Sequence, residues 1–193
     1  MTAAGSILVV RPGLLTTVQD LGRWSHQELG VPVAGPMDPF SHRLANHLVG
    51  NDPRAATLEV TLIGPELEFD AETAVAVTGA DFDLTVDGET VSGGTVIGIR
   101  RGQRLRFGRR WAGARAYVAV AGGVLTPPVL GSRATHVLTR MGGLDGRALS
   151  GGDRLPIRPG LPAPNRRARG LTLPTANRAR VRVLPGPQDE WFG

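Results

Sequence analysis

Asp83-Leu84-Thr85-Val86-Asp87-Gly88-Glu89-Thr90-Val91 reads as a β-hairpin, with Asp87-Gly88 as its two-residue turn. A turn of that length needs positive φ at both central positions, which Asp-Gly accepts at little cost. Outward from it, short β-branched or alternating runs recur between Gly and Pro. The strand candidates are Ser6 to Val10, Thr57 to Leu62, Glu66 to Phe69, Thr73 to Thr78, Phe82 to Val86, Thr95 to Arg100, Gln103 to Phe107, Arg115 to Ala121, Arg154 to Ile157 and Val181 to Leu184. Arg101-Gly102 is expected to turn a second hairpin. One helix interrupts the series: Asp38 can cap it, Pro39 suits its first turn, and Phe40, Leu44, His47 and Leu48 form an expected apolar stripe before Gly50. Many short strands with one helix predict an all-β barrel or sandwich, the helix plugging an open end.

Two segments look too irregular for helix or strand: Gly13 to Arg23 and Gly30 to Asp38. They read as shaped loops, where polar groups on a rigid scaffold are free to meet a ligand. Asp38 is the first candidate for a general acid or base, and reads equally as a plain helix N-cap. Arg43 and Asn46, on the expected polar side of the helix, join it as catalytic candidates, against a role tying the helix to neighbouring loops. Gln19, Asp20 and Arg23 are candidates for substrate contact, or for an internal Asp20–Arg23 pair that locks the loop. Met37, Asn51, Asp81, Ser132 and Arg133 complete the substrate-binding set. Thr78-Gly79-Ala80-Asp81 and Leu130-Gly131-Ser132-Arg133 read as turns that end strands, able to present N–H groups to an oxyanion. Asp38, Arg43, Asn46, Asp81 and Arg133 are expected to line one cleft.

Composition removes whole classes of chemistry. The 193 residues include no cysteine and no lysine, so the 22 basic residues are all arginine. That excludes thiol nucleophiles, Schiff-base catalysis, a lysine-bearing phosphate loop and covalent attachment of biotin to this chain. The guanidinium fork that remains suits carboxylate-like oxygens. The four histidines make no metal pattern, since His42 and His47 turn to different helix faces, and no metal is predicted. The net charge of +5 comes from Arg166, Arg167, Arg169, Arg178, Arg180 and Arg182, in a segment with no aromatic residue for base stacking. A solvated linker is the expected reading, not a nucleic-acid surface. No apolar run approaches the ~20 residues that span a bilayer, and a cytoplasmic protein is expected. Trp24, Trp111 and Tyr117 are read as core or interface aromatics.

The expected organisation is a β-barrel domain over 1–160, a Pro/Arg-rich linker over 161–180, and over 181–193 the first strand of a truncated second β domain. Val181 to Leu184 would be that strand, with Trp191 and Phe192 left bare beside it.

The segments PGLLTTVQDLGR (12–23), GVPVAGPMD (30–38), RLANHLVGN (43–51), LEVTLIGPELEF (58–69), AVTGADF (76–82), RAYVAVAGGV (115–124), VLGSRAT (129–135), GGLDGRALSGGD (142–153) and VLPGPQDEWF (183–192) resemble, in order, one family. It is the family of the 5-oxoprolinase C subunit, also called KipA-like protein, allophanate hydrolase subunit 2 or biotin-dependent carboxyltransferase domain. The resemblance implies a cyclophilin-like β-barrel, and a KipI-like partner (the 5-oxoprolinase B subunit) with a LamB/YcsF-like third component beside it. The implied activity is ATP-dependent opening of the 5-oxoproline lactam to L-glutamate, with ATP bound somewhere in the complex. One alternative is transfer of CO2 from carboxybiotin, supplied by another chain, to urea or a related amide. Another is a non-catalytic regulator that binds a KipI-like kinase inhibitor. Hydrolysis of allophanate by this chain itself is disfavoured, because such amidases need an activated Ser and Lys.

Overall fold

The computed structural model describes residues 5–158, 166–168 and 182–191. Within them the chain runs β1 (Gly5–Arg11), β2 (Leu15–Gln19), α1 (Pro39–Leu48), β3 (Thr57–Thr61), β4 (Glu66–Phe69), β5 (Thr73–Val86), β6 (Glu89–Val91), β7 (Val96–Ile99), β8 (Arg104–Val120) and β9 (Arg154–Ile157), with short 3-10 turns at Gln27–Leu29 and Asp189–Trp191.

All pairings are antiparallel and form one curled sheet, a half-barrel. The organising strand is β8. Its whole length lies along β5, while its other edge carries β3 towards the C-terminal end and β4 towards the N-terminal end. From β4 the sheet continues through β1 to β9, and from β3 to β2. Alternation sends Ile7, Val9, Leu58, Val60, Val75, Val77, Leu105, Val118 and Val120 inward to the main core. The opposite face of β5 and β8 offers Ala74, Ala76, Tyr117, Ala119 and Ala121, on which α1 lies. These are mostly small side chains, so the helix approaches the sheet closely.

The Asp87-Gly88 hairpin forms as expected, with φ of 51° and 91° at the turn and Val86 opposite Glu89. Arg101-Gly102 turns the chain but makes no hairpin, because β7 and β8 flank opposite edges of β5. The turn is held instead by Phe69, whose carbonyl accepts from Gly102 N–H and whose N–H donates to Gln103. Thr73–Thr78 and Phe82–Val86 prove to be one strand, as do Gln103–Phe107 and Arg115–Ala121. Thr78-Gly79-Ala80-Asp81 is therefore a bulged stretch inside β5 and not a terminal turn. Gly79, at φ 92°, makes it possible, since a Cβ there would collide with the Arg115 carbonyl.

Two further expectations about local structure need correction. Leu15–Gln19, read as irregular, is strand β2, paired residue for residue with β3 from Leu15–Thr61 to Gln19–Thr57. Its other edge is sealed by Leu149 N–H on the Thr16 carbonyl and Thr135 N–H on that of Val18. The helix stripe is also displaced: Ser41, His42, Ala45, Asn46 and Leu48 face the sheet, while Phe40 and His47 are exposed. The sheet beneath is polar around Thr57 and Glu59, so it takes Ser, His and Asn from the helix where a wholly apolar sheet would take Phe.

Tyr117 is core, as expected, whereas Trp24 and Trp111 are exposed. Trp111 donates to Asp83 and stacks beneath Arg109. Of the segment expected to be a linker, residues 166–168 run beside Gly94–Val96, with Thr95 bridging Arg167. Val181 lies outside the described residues, and Arg182–Leu184 are exposed and outside any strand. Among the described residues no helix is long and apolar enough to cross a membrane, and no group of three or more His, Asp or Glu is placed to hold a metal.

Candidate functional site

The N-terminus of α1 sits over the row Glu59, Tyr117 and Thr78, which are direct cross-strand neighbours on β3, β8 and β5. Asp38 caps the helix, its two oxygens accepting from Ser41 N–H at 3.0 Å and Ser41 Oγ at 2.5 Å. Thr78 Oγ1 donates to the Ser41 carbonyl, fastening that first turn to β5.

Beneath the cap, a chain of hydrogen bonds ends on a carboxylate. Asp38 N–H donates to the Tyr117 hydroxyl at 2.7 Å, which in turn donates to Glu59 Oε2 at 2.7 Å. Met37 N–H reaches the same oxygen at 2.8 Å. Burial, reinforced by the hydrogen bond to Glu59, raises the Tyr117 pKa far above its ordinary value. The phenol therefore stays protonated and works as a fixed donor, not as a base. The other oxygen, Oε1, is committed less firmly: Arg115 Nε stands 3.6 Å away, an ion-pair distance too long for a hydrogen bond. Arg115 Nε is itself buried without a hydrogen-bond acceptor among the described residues. The Glu59 side chain keeps 12% of its surface exposed and that of Arg115 26%. One spent oxygen, one available oxygen and an adjacent guanidinium suit a small polar group that both donates and accepts, such as an amide.

Further along α1 the polar groups are closed. His42 lies between Thr57 Oγ1, at 2.9 Å, and the Pro53 carbonyl, at 3.1 Å, edge-on to the Tyr117 ring. Burial lowers its pKa, so neutral imidazole fills the site. Asn46 donates to the Ala55 carbonyl and accepts from Asn51, which also binds the Val120 carbonyl and Gly122 N–H.

A third cluster joins the end of β2 to the 126–135 loop. Asp20 accepts from Gly22 N–H, Ser132 Oγ and Arg133 N–H at 2.9, 2.5 and 2.5 Å. Arg23, fully buried, donates to the carbonyls of Ala134 and Val129, and Arg133 Nε to that of Thr126. Gln19 Nε2 ties Thr17 to the Thr135 carbonyl. The expected Asp20–Arg23 lock is replaced: each binds the 126–135 loop, and Asp20 reaches Arg23 only through its field, which partly offsets the lowering of the Arg23 pKa by burial. Leu130-Gly131 forms a turn closed by the isolated Val129–Ser132 bridge, but it ends no strand.

The expected single cleft is thus divided. Met37 and Asp38 meet at Glu59; Asn46 and Asn51 hold each other; Gln19, Asp20, Arg23, Ser132 and Arg133 form the third group. Asn46 is wholly buried against the sheet, not on the polar side of the helix, while Arg43 faces solvent from α1 and Asp81 from β5. Glu59 and Arg115 were missed by sequence reasoning. The available signal was alternation in Thr57-Leu58-Glu59-Val60-Thr61, which places a carboxylate at mid-strand on the face away from Leu58 and Val60.

Residues 29–193 match the model of the carboxyltransferase domain, subdomain A and B. The chain is 41% identical over 185 residues to the C subunit of 5-oxoprolinase from Escherichia coli, covering 95% of this chain and 59% of that protein. It is 42% identical over 151 residues to urea amidolyase of Saccharomyces cerevisiae, covering 78% of this chain and 8% of that one. The crystal structure of the K. lactis urea amidolyase superposes with a TM-score of 0.79 at 39% identity, over 90% of this chain and 11% of that one. The chain therefore spans about three fifths of the Escherichia coli relative and under a tenth of the yeast enzyme. By the match over 29–193 and the shared curled sheet, it belongs to the carboxyltransferase domain, subdomain A and B, family.

Proposed function

We propose that this chain is a component of an ATP-dependent 5-oxoprolinase, acting on the lactam amide together with a KipI-like partner and a LamB/YcsF-like protein. The observation that carries the reading is the Glu59 carboxylate, held by Tyr117 and the Met37 amide with its second oxygen beside Arg115. That oxygen accepts the lactam N–H, and Arg115 faces the substrate carboxylate. Asp38 is a positioning residue: its side chain fixes α1, and its N–H orients the Tyr117 hydroxyl towards Glu59. The 41% identity to the 5-oxoprolinase C subunit over 95% of the chain supports the lactam reading. ATP supplies the free energy for ring opening. With no lysine in the sequence, neither a lysine-bearing phosphate loop nor attached biotin belongs to this chain, and those groups fall to its partners.

The urea amidolyase match favours a second reading, carboxyl transfer to a urea-like amide at the same carboxylate. Co-expression with the KipI-like and LamB/YcsF-like proteins, followed by assay of ATP-dependent glutamate release from 5-oxoproline, tests the first. Turnover by the complex is expected, with a fall of about 10²-fold in Glu59→Gln, the scale of losing a positioned proton acceptor. Turnover by this chain alone, or an unchanged rate in Glu59→Gln, would count against it.

A further inference from the structure

A groove of about 530 Å3 opens between the segments 11–14 and 63–66, beside the β4–β8 pairing. Its walls are apolar: Leu14 and Ile63 stand 58% and 60% exposed, with Pro12, Pro65 and Phe107 between them. Gly64 allows the second wall to lie on the Phe107 ring, where any Cβ would collide with ring carbons. The volume lies within the ~300–1,000 Å3 of small-molecule sites.

The charges at its rim do not balance locally. Arg106 lies directly across from Glu66 in the β4–β8 register, where opposite charges ordinarily pair. Glu66 pairs instead with Arg11, 3.7 Å from its Oε2, and with Arg104, 3.7 Å from its Oε1. Arg104 also binds Glu68 at 2.7 Å. Among the described residues Arg106 is left with no carboxylate within 4 Å, and it is one of the residues that line the groove. Three arginines face two glutamates, leaving one positive charge beside apolar walls.

We propose that this groove is a binding site for a monocarboxylate with an apolar body, the carboxylate on the Arg106 fork and the body between Leu14 and Ile63. A guanidinium takes a carboxylate through two parallel N–H donors, and removal of such a charged partner costs binding by about tenfold or more. The site is independent of the Glu59 cluster, so it stands or falls apart from the lactam reading.

Titration of the isotopically labelled 193-residue chain with hexanoate, followed by amide NMR, tests it. Shifts are expected at Gly13, Leu14, Ile63 and Gly64. Arg106→Gln should weaken them by about tenfold or more, and Glu66→Gln, which releases Arg11, should strengthen them. Hexanol and inorganic phosphate should each bind more weakly than hexanoate, lacking the charge and the body respectively. Equal binding of hexanol or phosphate at these residues, or hexanoate binding indifferent to Arg106→Gln, would overturn the proposal.

Discussion

Two carboxylates close to the same strand pair, Asp20 at the end of β2 and Glu59 in the middle of β3, meet opposite fates. Asp20 takes three donors from its own turn and the 126–135 loop, and is buried. Glu59 spends one oxygen on Tyr117 and Met37 and leaves the other to a distant Arg115. A carboxylate with both oxygens hydrogen-bonded holds a fold together; one with an oxygen in reserve can serve a ligand. The loop motif that looked most functional in the sequence is, at Asp20, the more structural of the two.

The strongest test removes the closed carboxylate. Asp20→Ala strands Ser132 Oγ and the N–H groups of Gly22 and Arg133, and is expected to cost about 3 kcal/mol, from the ~1–3 kcal/mol of each unpaired buried group. Thermal unfolding should shift down by roughly 6–12 °C for a chain of this size. Glu59→Gln keeps its acceptor for Tyr117 and should remain within about 1 kcal/mol of the parent by the same scale. Equal losses in the two variants would erase the distinction.

Much of this was legible in the sequence, and the failures have physical reasons. Strand existence, the Asp87-Gly88 turn and the Asp38 cap are local properties, set by alternation, positive φ and side-chain reach. Leu15–Gln19 was missed because Thr-Thr-Val-Gln lacks alternation: Thr16, Thr17, Val18 and Gln19 are all buried, with β3 on one edge and the 135–149 region on the other. The helix face was misplaced for a complementary reason. Phe40 is the more apolar residue, but His42 and Asn46 find acceptors on the polar sheet, which no helical period reveals. Glu59 was invisible as a site because its partners, Tyr117 and Met37, are distant in sequence and joined only by register.

A smaller effect belongs to Asp38, whose backbone N–H reaches Glu59 through the Tyr117 hydroxyl. Asp38→Ala should cost about 1 kcal/mol as a lost N-cap, measured by chemical denaturation, whereas Asp38→Asn should be nearly neutral because Asn caps as well. In the assembled enzyme Asp38→Asn should keep turnover within a few-fold, its N–H to Tyr117 being unchanged. A large loss of turnover with stability intact would move Asp38 from positioning to proton transfer.

The smallest effect tests whether a carboxylate with both oxygens hydrogen-bonded matters when it lies near solvent. Asp153 receives both arms of Arg147, at 2.7 and 2.9 Å, and Ser150 N–H at 2.7 Å. The hydrogen bonds from Arg147 are the main cause holding its pKa below the ordinary carboxylate value. Because the folded pKa is the lower one, the stabilisation is present above the unfolded pKa of about 3.9 and is lost as pH falls through the folded value. Arg147 is nearly half exposed, so solvent screening limits the contribution to about 1 kcal/mol or less. Between pH 5 and pH 3 the denaturation midpoint of the parent should therefore fall slightly more than that of Asp153→Asn. Parallel declines would mean that closure stabilises through a carboxylate only where, as at Asp20, water is kept out.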